Sequence, residues 1–502
     1  MKKNFRIFSF LLIFLLLISF NVSAQPEQVL KIGIGTDITT FDMINYQGTN
    51  DLKSGSMVFE SLIELDPDAL DNFIPVLATS WEQKDETTWI INLREGVKFT
   101  DGTPFNAAAV KFTLERASTG LKSKADVGMI KVVNIINDYQ VEIKLHYAAS
   151  NFMPGLSMQT AGMISPTAVE KYGEDWNKNP VGTARFKLEE WKPGIHIAYT
   201  RNEDYWGTPA KLDKVIFYPI PNEATRIMTF RAGEIDVCED LPAHEVPSIE
   251  ADPNSRIQIQ PNLRTIFLAL DTLNDTLKDK KIRQAIALGI DKESIHKYTM
   301  EELAPEAKYG FLPPYLQKRS ELIGYPYDPK RAKELLAEAG YADGLVIDLW
   351  VPEGRYAKGE EIAQVVQGQL KEIGIDVKIS IMQSAAFWGE TIIPDIEKPF
   401  QMLLIGWLIN PDPVATYIEL FQSGSITNFF NYNMDEKILS ASTAVGADAR
   451  NAVYLSMDRE VIEEAAMIPI YYASMIFAIN EKVQDFASHP MDYLRLEDTY
   501  IK

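Results

Sequence analysis

Short apolar runs alternate along the chain with amphipathic stretches of helical period, and this pattern predicts a mixed α/β fold. In the second half, residues 346–351, 375–381 and 401–406 are apolar enough to be buried strands. Between the first two runs, residues 360–373 carry apolar side chains on one helical face, and Gly374 follows as a helix stop. A strand–helix–strand unit of this kind is the usual route to two parallel strands.

The first half of the chain contains two predicted hairpins. Residues 88–93 form a β-branched and apolar run, and a turn leads from it to an expected partner strand at 97–99. Asn106 is then placed to cap a helix at 107–117 that has apolar residues on one face. A second hairpin is expected within 132–145, where apolar and charged residues alternate on the later strand.

The first 24 residues have the pattern of a secretory signal peptide. Lys2, Lys3 and Arg6 precede an apolar run at 7–20, and Val22-Ser23-Ala24 follows it. The run is shorter than the ~20 apolar residues that a membrane-spanning helix needs. We therefore expect cleavage after Ala24 and release into the periplasm. No cysteine stands at the cleavage site, so a lipid anchor is not expected.

Composition excludes several classes of function. The chain has 49 Lys and Arg against 70 Asp and Glu, a formal net charge of −21, and loss of the signal peptide would remove three more basic residues. Nucleic acids and anionic membranes need a basic surface, so neither is an expected partner. Cys238 is the only cysteine, which rules out an intrachain disulfide. At 502 residues the chain is long enough for at least two hydrophobic cores.

The most specific stretch lies at 77–116 and reads LATSWEQKDETTWIINLREGVKFTDGTPFNAAAVKFTLER. This run closely resembles the signature of the family 5 solute-binding proteins of ABC importers, which bind dipeptides, oligopeptides, glutathione or nickel chelates. The segment RAGEIDV at 231–237 resembles the same family. The resemblance implies two α/β lobes joined by two crossing strands near 262–268 and 468–474, with an extra subdomain inserted in the first lobe.

Mapped onto this chain, the family architecture predicts six ranges. They are a signal peptide at 1–24, lobe I at 25–56, 175–265 and 471–502, the inserted subdomain at 57–174, and lobe II at 266–470.

Two loops of lobe II are candidates for ligand binding. In α/β sheets ligands bind beyond the carboxyl ends of the strands, and the loops at 352–356 and 407–412 follow two predicted parallel strands. Arg355 is expected to bind a ligand carboxylate, because its planar guanidinium matches two oxygens; the alternatives are an exposed loop residue or a salt bridge between the lobes. Its neighbour Tyr356 belongs to the same candidate site, and Trp407 is equally suited to a pocket wall or a core.

Further candidates follow from the resemblance. Tyr46 and Gln47 lie in the loop after the first strand, where relatives often contact ligand, and a plain surface loop is the alternative. In peptide-binding relatives an aspartate three residues after the tryptophan holds the ligand ammonium, but here that position is Asn410. Asp412 is expected either to supply the missing charge or to cap a helix that begins at Pro413. The loop length is closer to that of the nickel-chelate binders.

The sequence thus predicts a monomeric, periplasmic solute-binding protein rather than an enzyme. It would capture a di- or oligopeptide and deliver it to an ABC permease heterodimer with its ATPases. The five histidines lie far apart and no catalytic motif is present, so no cofactor, metal site or hydrolase activity is expected. A nickel-chelate or metallophore binder and a glutathione binder are alternatives within the family. A secreted chaperone or adhesin is a more distant one, which a large exposed apolar groove would favour.

Overall fold

The computed structural model describes residues 26–502 apart from 68, 70–71, 309, 314–315, 317–321, 392–399, 424, 426–431 and 445–446. The predicted signal peptide at 1–24 lies outside the described residues. Among the helices that are described, none combines the length and apolar character that crossing a membrane requires.

The elements of the first half are, in chain order, β1 (Val29–Ile34), α1 (Thr49–Ser56), β2 (Ile63–Leu65), β3 (Phe73–Pro75), β4 (Ala78–Asp85), β5 (Thr88–Leu93), α2 (Ala107–Ala117), α3 (Lys124–Val127), β6 (Ile130–Asn137), β7 (Gln140–Leu145), α4 (Phe152–Ser157), α5 (Pro166–Tyr172), β8 (Phe186–Lys192), β9 (His196–Arg201), β10 (Lys214–Pro219) and α6 (Glu223–Arg231). Those of the second half are β11 (Val237–Cys238), α7 (Val246–Glu250), β12 (Ser255–Leu270), α8 (Lys280–Leu288), α9 (Lys292–Ser294), α10 (Pro329–Glu338), β13 (Leu345–Pro352), α11 (Gly359–Glu372), β14 (Ile375–Met382), α12 (Ser384–Thr391), β15 (Met402–Leu408), α13 (Pro413–Phe421), α14 (Tyr432–Thr443), α15 (Ala447–Glu464), β16 (Met467–Asn480), β17 (Val483–Gln484), β18 (Ala487–His489), β19 (Tyr493–Arg495) and β20 (Tyr500–Ile501).

Two long antiparallel strands connect the lobes. Among the described residues, ten strands share one sheet in the order β14-β13-β15-β12-β16-β11-β1-β10-β9-β8. The register of β12 against β16 shifts between Pro261 and Thr265. On one side of this shift β16 pairs with β11, and on the other side β12 pairs with β15. The two strands therefore pass from the sheet of one lobe into the sheet of the other, as expected for hinge strands.

Buried side chains form separate clusters, in agreement with the predicted two-lobed α/β fold. Leu268 and Ile347 belong to the cluster of the second lobe, and Leu30 and Phe217 to that of the first. A third cluster packs against the sheet β4-β5-β7-β6, which is separate from the large sheet. The residue boundaries of the six predicted ranges stay a prediction.

Several local predictions are confirmed. β13 and β14 are parallel, and β13 also pairs in parallel with β15, so the loops after β13 and β15 meet at one edge. The Asn106 side chain accepts hydrogen bonds from the backbone N–H groups of Ala108 and Ala109 at 3.0 and 3.2 Å, which caps α2.

The predicted partner of β5 is wrong. β5 pairs with β4 and β7, whereas Val97 and Phe99 are buried in the core and Lys98 makes only an isolated bridge to Pro104. Most side chains of β4 are exposed, so the strand lacks the alternation of apolar and polar residues that identifies strands in a sequence.

Candidate functional site

A cavity of about 560 Å³ lies between the lobes, at the edge where β13 and β15 end. Its lining includes five of the seven residues predicted from the sequence, namely Tyr46, Gln47, Arg355, Trp407 and Asn410. The structure thus brings the loop after β1 in the first lobe to the two loops of the second lobe. Tyr356 and Asp412 are not among the lining residues.

Tyr356 and Asp412 both serve local structure. The Tyr356 hydroxyl donates to the carbonyl oxygen of Gly406 at 3.1 Å, and a Cβ at residue 406 would lie only 2.8 Å from the Tyr356 ring. Asp412 caps α13, since its carboxylate accepts from the backbone N–H of Val414 at 3.1 Å and from the Tyr454 hydroxyl. The capping alternative for Asp412 is therefore confirmed. Because neither Tyr356 nor Asp412 lines the cavity, the cavity gives no support for a direct ligand contact by either side chain.

Trp407 lies in a strand and not in the loop predicted for it. It is the penultimate residue of β15 and stands opposite Thr265 of β12, so pairing with the hinge strand extends β15 beyond its apolar run. Its indole faces the cavity, and Trp388 packs edge-to-face against it with ring centroids 6.3 Å apart. Trp388 also lines the cavity, and nothing in its sequence context indicated this.

Arg355 is partly buried and reaches across to the first lobe. A Cβ at Gly48 would lie 3.4 Å from the Arg355 Nη1 atom, so the guanidinium rests against the backbone that opens α1. Its Nε atom is buried and has no hydrogen-bond partner, and the side chain forms no ion pair within the part of the chain that the structure describes. A buried N–H without an acceptor is costly, so this guanidinium is suited to receive one from a ligand.

Asp51 orders the loop of the first lobe. Its carboxylate accepts hydrogen bonds from the backbone N–H and hydroxyl of Thr39 at 2.6 and 2.8 Å. It also accepts from the backbone N–H groups of Gln47 and Gly48, at 2.8 and 3.2 Å. Because one buried side chain satisfies all these donors, Tyr46 and Gln47 are held in place before a ligand arrives.

Two further acidic side chains lie at the cavity or beside it, and the sequence analysis missed both. Glu419 Oε2 accepts from the Trp407 indole N–H at 2.8 Å. Burial raises the pKa of Glu419, and the positive charge of Lys122 partly opposes this. Asp126 accepts from the Thr160 hydroxyl at 2.6 Å and from the Asn410 amide at 3.1 Å, and burial raises its pKa to about 7. No sequence motif marks either residue, since their partners come from other segments of the chain.

These features suit reversible binding. Within the described residues there is no group of three or more His, Cys, Asp or Glu side chains that could hold a metal ion. The cavity instead combines two guanidinium groups, a lysine ammonium, carboxylates and two indoles between lobes that share two strands. A concave site of this size with a few fixed polar groups is typical of a small-molecule site, and its position between hinged lobes defines a solute-binding protein.

Comparison with known proteins identifies the family. Residues 72–429, more than half of the chain, match the bacterial extracellular solute-binding proteins of family 5, and the chain belongs to this family. The family is one of binding proteins that work with ABC permeases, not of enzymes.

Similar proteins cover nearly the whole chain. The glutathione-binding protein GsiB of Salmonella typhi is 27% identical over 500 residues, 96% of this chain and 97% of that protein. The periplasmic binding protein DppA of Helicobacter pylori, solved with the peptide STSA, has a TM-score of 0.85 and 25% identity over 96% of this chain and all (100%) of that one. The oligopeptide-binding protein AppA of Bacillus subtilis, solved with a nonapeptide, has a TM-score of 0.85 and 25% identity over 95% of this chain and 100% of that one.

Proposed function

We propose that this protein captures a peptide-like solute between its lobes and delivers it to an ABC permease. The observation that carries the proposal is the Arg355 guanidinium, which lies in the cavity with a buried, unpartnered Nε atom. A ligand carboxylate offers two oxygens in the plane of such a group. The peptide-bound relatives DppA and AppA support the same class of ligand.

Ligand capture would work through a hinge equilibrium and would involve no bond-making or bond-breaking. A ligand held by Arg355 from one lobe and by the ordered loop around Gln47 from the other favours the closed form, because it binds that form better. Hydrogen bonds from the backbone of this loop would not depend on the side chains of the ligand, so ligands with many different side chains could bind.

Glutathione is the second candidate ligand. The similarity to GsiB favours it, and glutathione is itself a peptide with carboxylates that Arg355 could bind. A nickel chelate remains a third alternative, because a metal that arrives already chelated needs few protein ligands. A chaperone or adhesin is not favoured, since the cavity lies between the lobes and is lined by charged as well as aromatic groups.

We further propose that the protein is exported, cleaved after Ala24 without lipid attachment, and acts as a monomer in the periplasm. Its partners would be a permease heterodimer and the associated ATPases. The Val22-Ser23-Ala24 run and the lack of a nearby cysteine support this maturation.

Native mass spectrometry of protein taken from the periplasm tests the ligand class. A mass increment equal to one or more peptides is the expected result, and the mass of glutathione would select the second candidate. A nickel chelate in the cavity, or failure of the ligand-free protein to bind any of a panel of short peptides and glutathione, would contradict the proposal.

A further inference from the structure

A second cavity, of about 290 Å³, lies outside the cleft, among segments predicted for the first lobe and the inserted subdomain. Its walls come from four parts of the chain, within 56–76, 157–159, 184–206 and 493–497. Its described lining residues include none from 266–470, the range predicted for lobe II, and none that also lines the cavity between the lobes. Opening and closing of the lobes should therefore leave this second cavity in place.

Glu60 fixes one wall of the second cavity. Its Oε1 atom accepts a hydrogen bond from the Tyr205 hydroxyl at 2.6 Å. Its Oε2 atom accepts from the Trp206 indole N–H at 2.9 Å and from the Thr183 hydroxyl at 2.8 Å. Both carboxylate oxygens are engaged with the protein, so Glu60 orders the wall and is not the group that would bind a ligand.

Arg185 is a cationic group that this wall leaves open. Its guanidinium carbon lies 4.7 Å from the centre of the Tyr205 ring, and its Nε atom donates only a long hydrogen bond of 3.3 Å to the carbonyl oxygen of Thr208. Within the described residues Arg185 forms no ion pair, whereas Arg495 in the same cavity binds Glu497 at 2.9 Å. The two terminal nitrogens of Arg185 are thus placed to bind a carboxylate in the plane of the guanidinium.

Two acceptors in the same cavity lack a close donor among the described residues. Glu64 accepts only from the Tyr493 hydroxyl at 3.5 Å, well beyond the usual length of such a bond. Burial raises the pKa of Glu64, and the positive charges of Arg495 and Arg185 partly oppose this. The side-chain oxygen of Gln159 is buried without a hydrogen-bond partner. Because an unmatched buried acceptor is costly, both groups are suited to receive a donor from a ligand.

We propose that this cavity is a second binding site, separate from the cleft, for a free α-amino acid with an aliphatic side chain. Arg185 binds the carboxylate of the amino acid, and Glu64 and Gln159 bind its ammonium. A zwitterion fits because a guanidinium and a carboxylate without close partners among the described residues line one cavity, and each needs an opposite charge.

The size and the remaining walls of the cavity agree with such a ligand. Its volume is about half of the 560 Å³ of the cavity between the lobes, which suits a molecule smaller than a peptide. Ile63 and Val76 offer apolar surface for an aliphatic side chain. This site goes beyond the proposed function and does not depend on it.

The test uses L-leucine and two blocked forms of it, N-acetyl-leucine without the ammonium and leucinamide without the carboxylate. Saturation-transfer NMR titrations measure binding of each to the parent, which should bind leucine at least about tenfold more tightly than either blocked form. Arg185→Gln should lose the preference for leucine over leucinamide. Glu64→Gln should lose the preference for leucine over N-acetyl-leucine. A purely structural role of either residue would not change these preferences.

Lys187→Gln is the matched control, because Lys187 is exposed, lies two residues from Arg185 and does not line the cavity; it should behave as the parent does. Arg355→Ala alters the cleft and should leave leucine binding unchanged. Arg185→Lys retains the charge and should keep part of the preference, and it provides a second variant should Arg185→Gln fold poorly.

The outcomes separate this site from the cleft. Leucine binding that is lost in Arg355→Ala but kept in Arg185→Gln places leucine between the lobes and overturns the second site. Failure of the parent to bind leucine, or equal binding of leucine and both blocked forms, overturns it as well. An Arg185→Gln variant that weakens leucine and leucinamide equally overturns the role of Arg185. Each of these results leaves the proposed capture of a peptide in the cleft intact.

Discussion

The side-chain amide of Asn410 in the second lobe donates a hydrogen bond of 3.1 Å to the carboxylate of Asp126 in α3. The two residues are 284 positions apart in the chain and face each other beside the cavity. A second hydrogen bond joins the same two sides of the cleft, donated by the backbone N–H of Ser150 to the carbonyl oxygen of Ser442 at 3.0 Å. These bonds join the two sides of the cleft, so they form only when the lobes are close.

Asn410→Asp should weaken ligand binding at neutral pH. The substitution places a second carboxylate against Asp126, and two like charges in a buried site oppose closure. We expect a loss of about 1–3 kcal/mol in binding free energy near pH 7.5, reduced at pH 5.5, where the pair can share a proton. Titration calorimetry of parent and variant at both pH values measures this. Tighter binding by the variant at pH 7.5 would show that residue 410 meets ligand rather than Asp126.

Closure should also depend on pH in the parent. Burial raises the pKa of Asp126 to about 7, while the hydrogen bonds from Thr160 and Asn410 lower it and the charge of Glu419 raises it. The closed native state therefore holds a proton that the open or unfolded chain, with an ordinary carboxyl pKa, releases. The contribution of Asp126 to stability and closure should fall as pH rises from about 4 to about 7.

Affinity measured across this range, for parent and Asp126→Asn, checks the pH dependence. The variant cannot titrate at this position, so the slope of its affinity against pH should lack the part that Asp126 contributes. An unchanged slope would assign the pH effect to another group, of which Glu419 is the first to examine because burial raises its pKa too.

Arg355→Ala should weaken binding of a carboxylate ligand by roughly 2–5 kcal/mol, since it removes one partner of a buried charge pair. Arg355→Lys should recover only part, because an ammonium cannot reproduce the planar fork. Arg331→Ala, on the exposed face of α10, serves as control. Titration against peptides with free and amidated carboxyl ends decides whether Arg355 binds the ligand carboxylate or has another role. Equal affinity of parent and Arg355→Ala would make Arg355 a surface or lobe-closing residue and strengthen the nickel-chelate alternative.

Ligand binding should compact the protein and stabilise it. Small-angle scattering is expected to show a smaller radius of gyration with ligand than without, because β12 and β16 connect two lobes with separate cores. Apparent stability should rise by ~2.7 kcal/mol at a hundredfold excess of ligand over the dissociation constant. A radius that does not change while stability rises would argue against hinge closure and for binding to a preformed cavity.

The exported protein should begin at Gln25 and carry no lipid. The mass of the intact protein from the periplasm tests both points, since retention of residues 1–24 and acylation each add a distinct increment. Ala24→Pro, next to the cleavage point, should slow processing and leave the precursor mass.

Most of what could be predicted about the fold came from sequence patterns that act over a few residues. The unit β13–α11–β14 follows from apolar runs, one helical face and a terminal glycine, all of which act over a few residues. The two loops at one sheet edge follow from parallel pairing, so Arg355 and Trp407 could be placed in one cavity from the sequence. The cap at Asp412 was recognised as an alternative because its donor, the backbone N–H of Val414, is only two residues away.

The tertiary structure alone decided which distant groups meet. The partner of β5 could not be recognised, because β4 is exposed and its pairing depends on the packing of the whole subdomain. Glu419 of α13 lies in the cavity, where it meets Trp407 of β15, and Asn410 meets Asp126 because two segments far apart in the chain converge at the cleft. Periodicity and capping report contacts within a few residues, whereas pairings across the cleft depend on how separately folded segments pack, which no local pattern encodes.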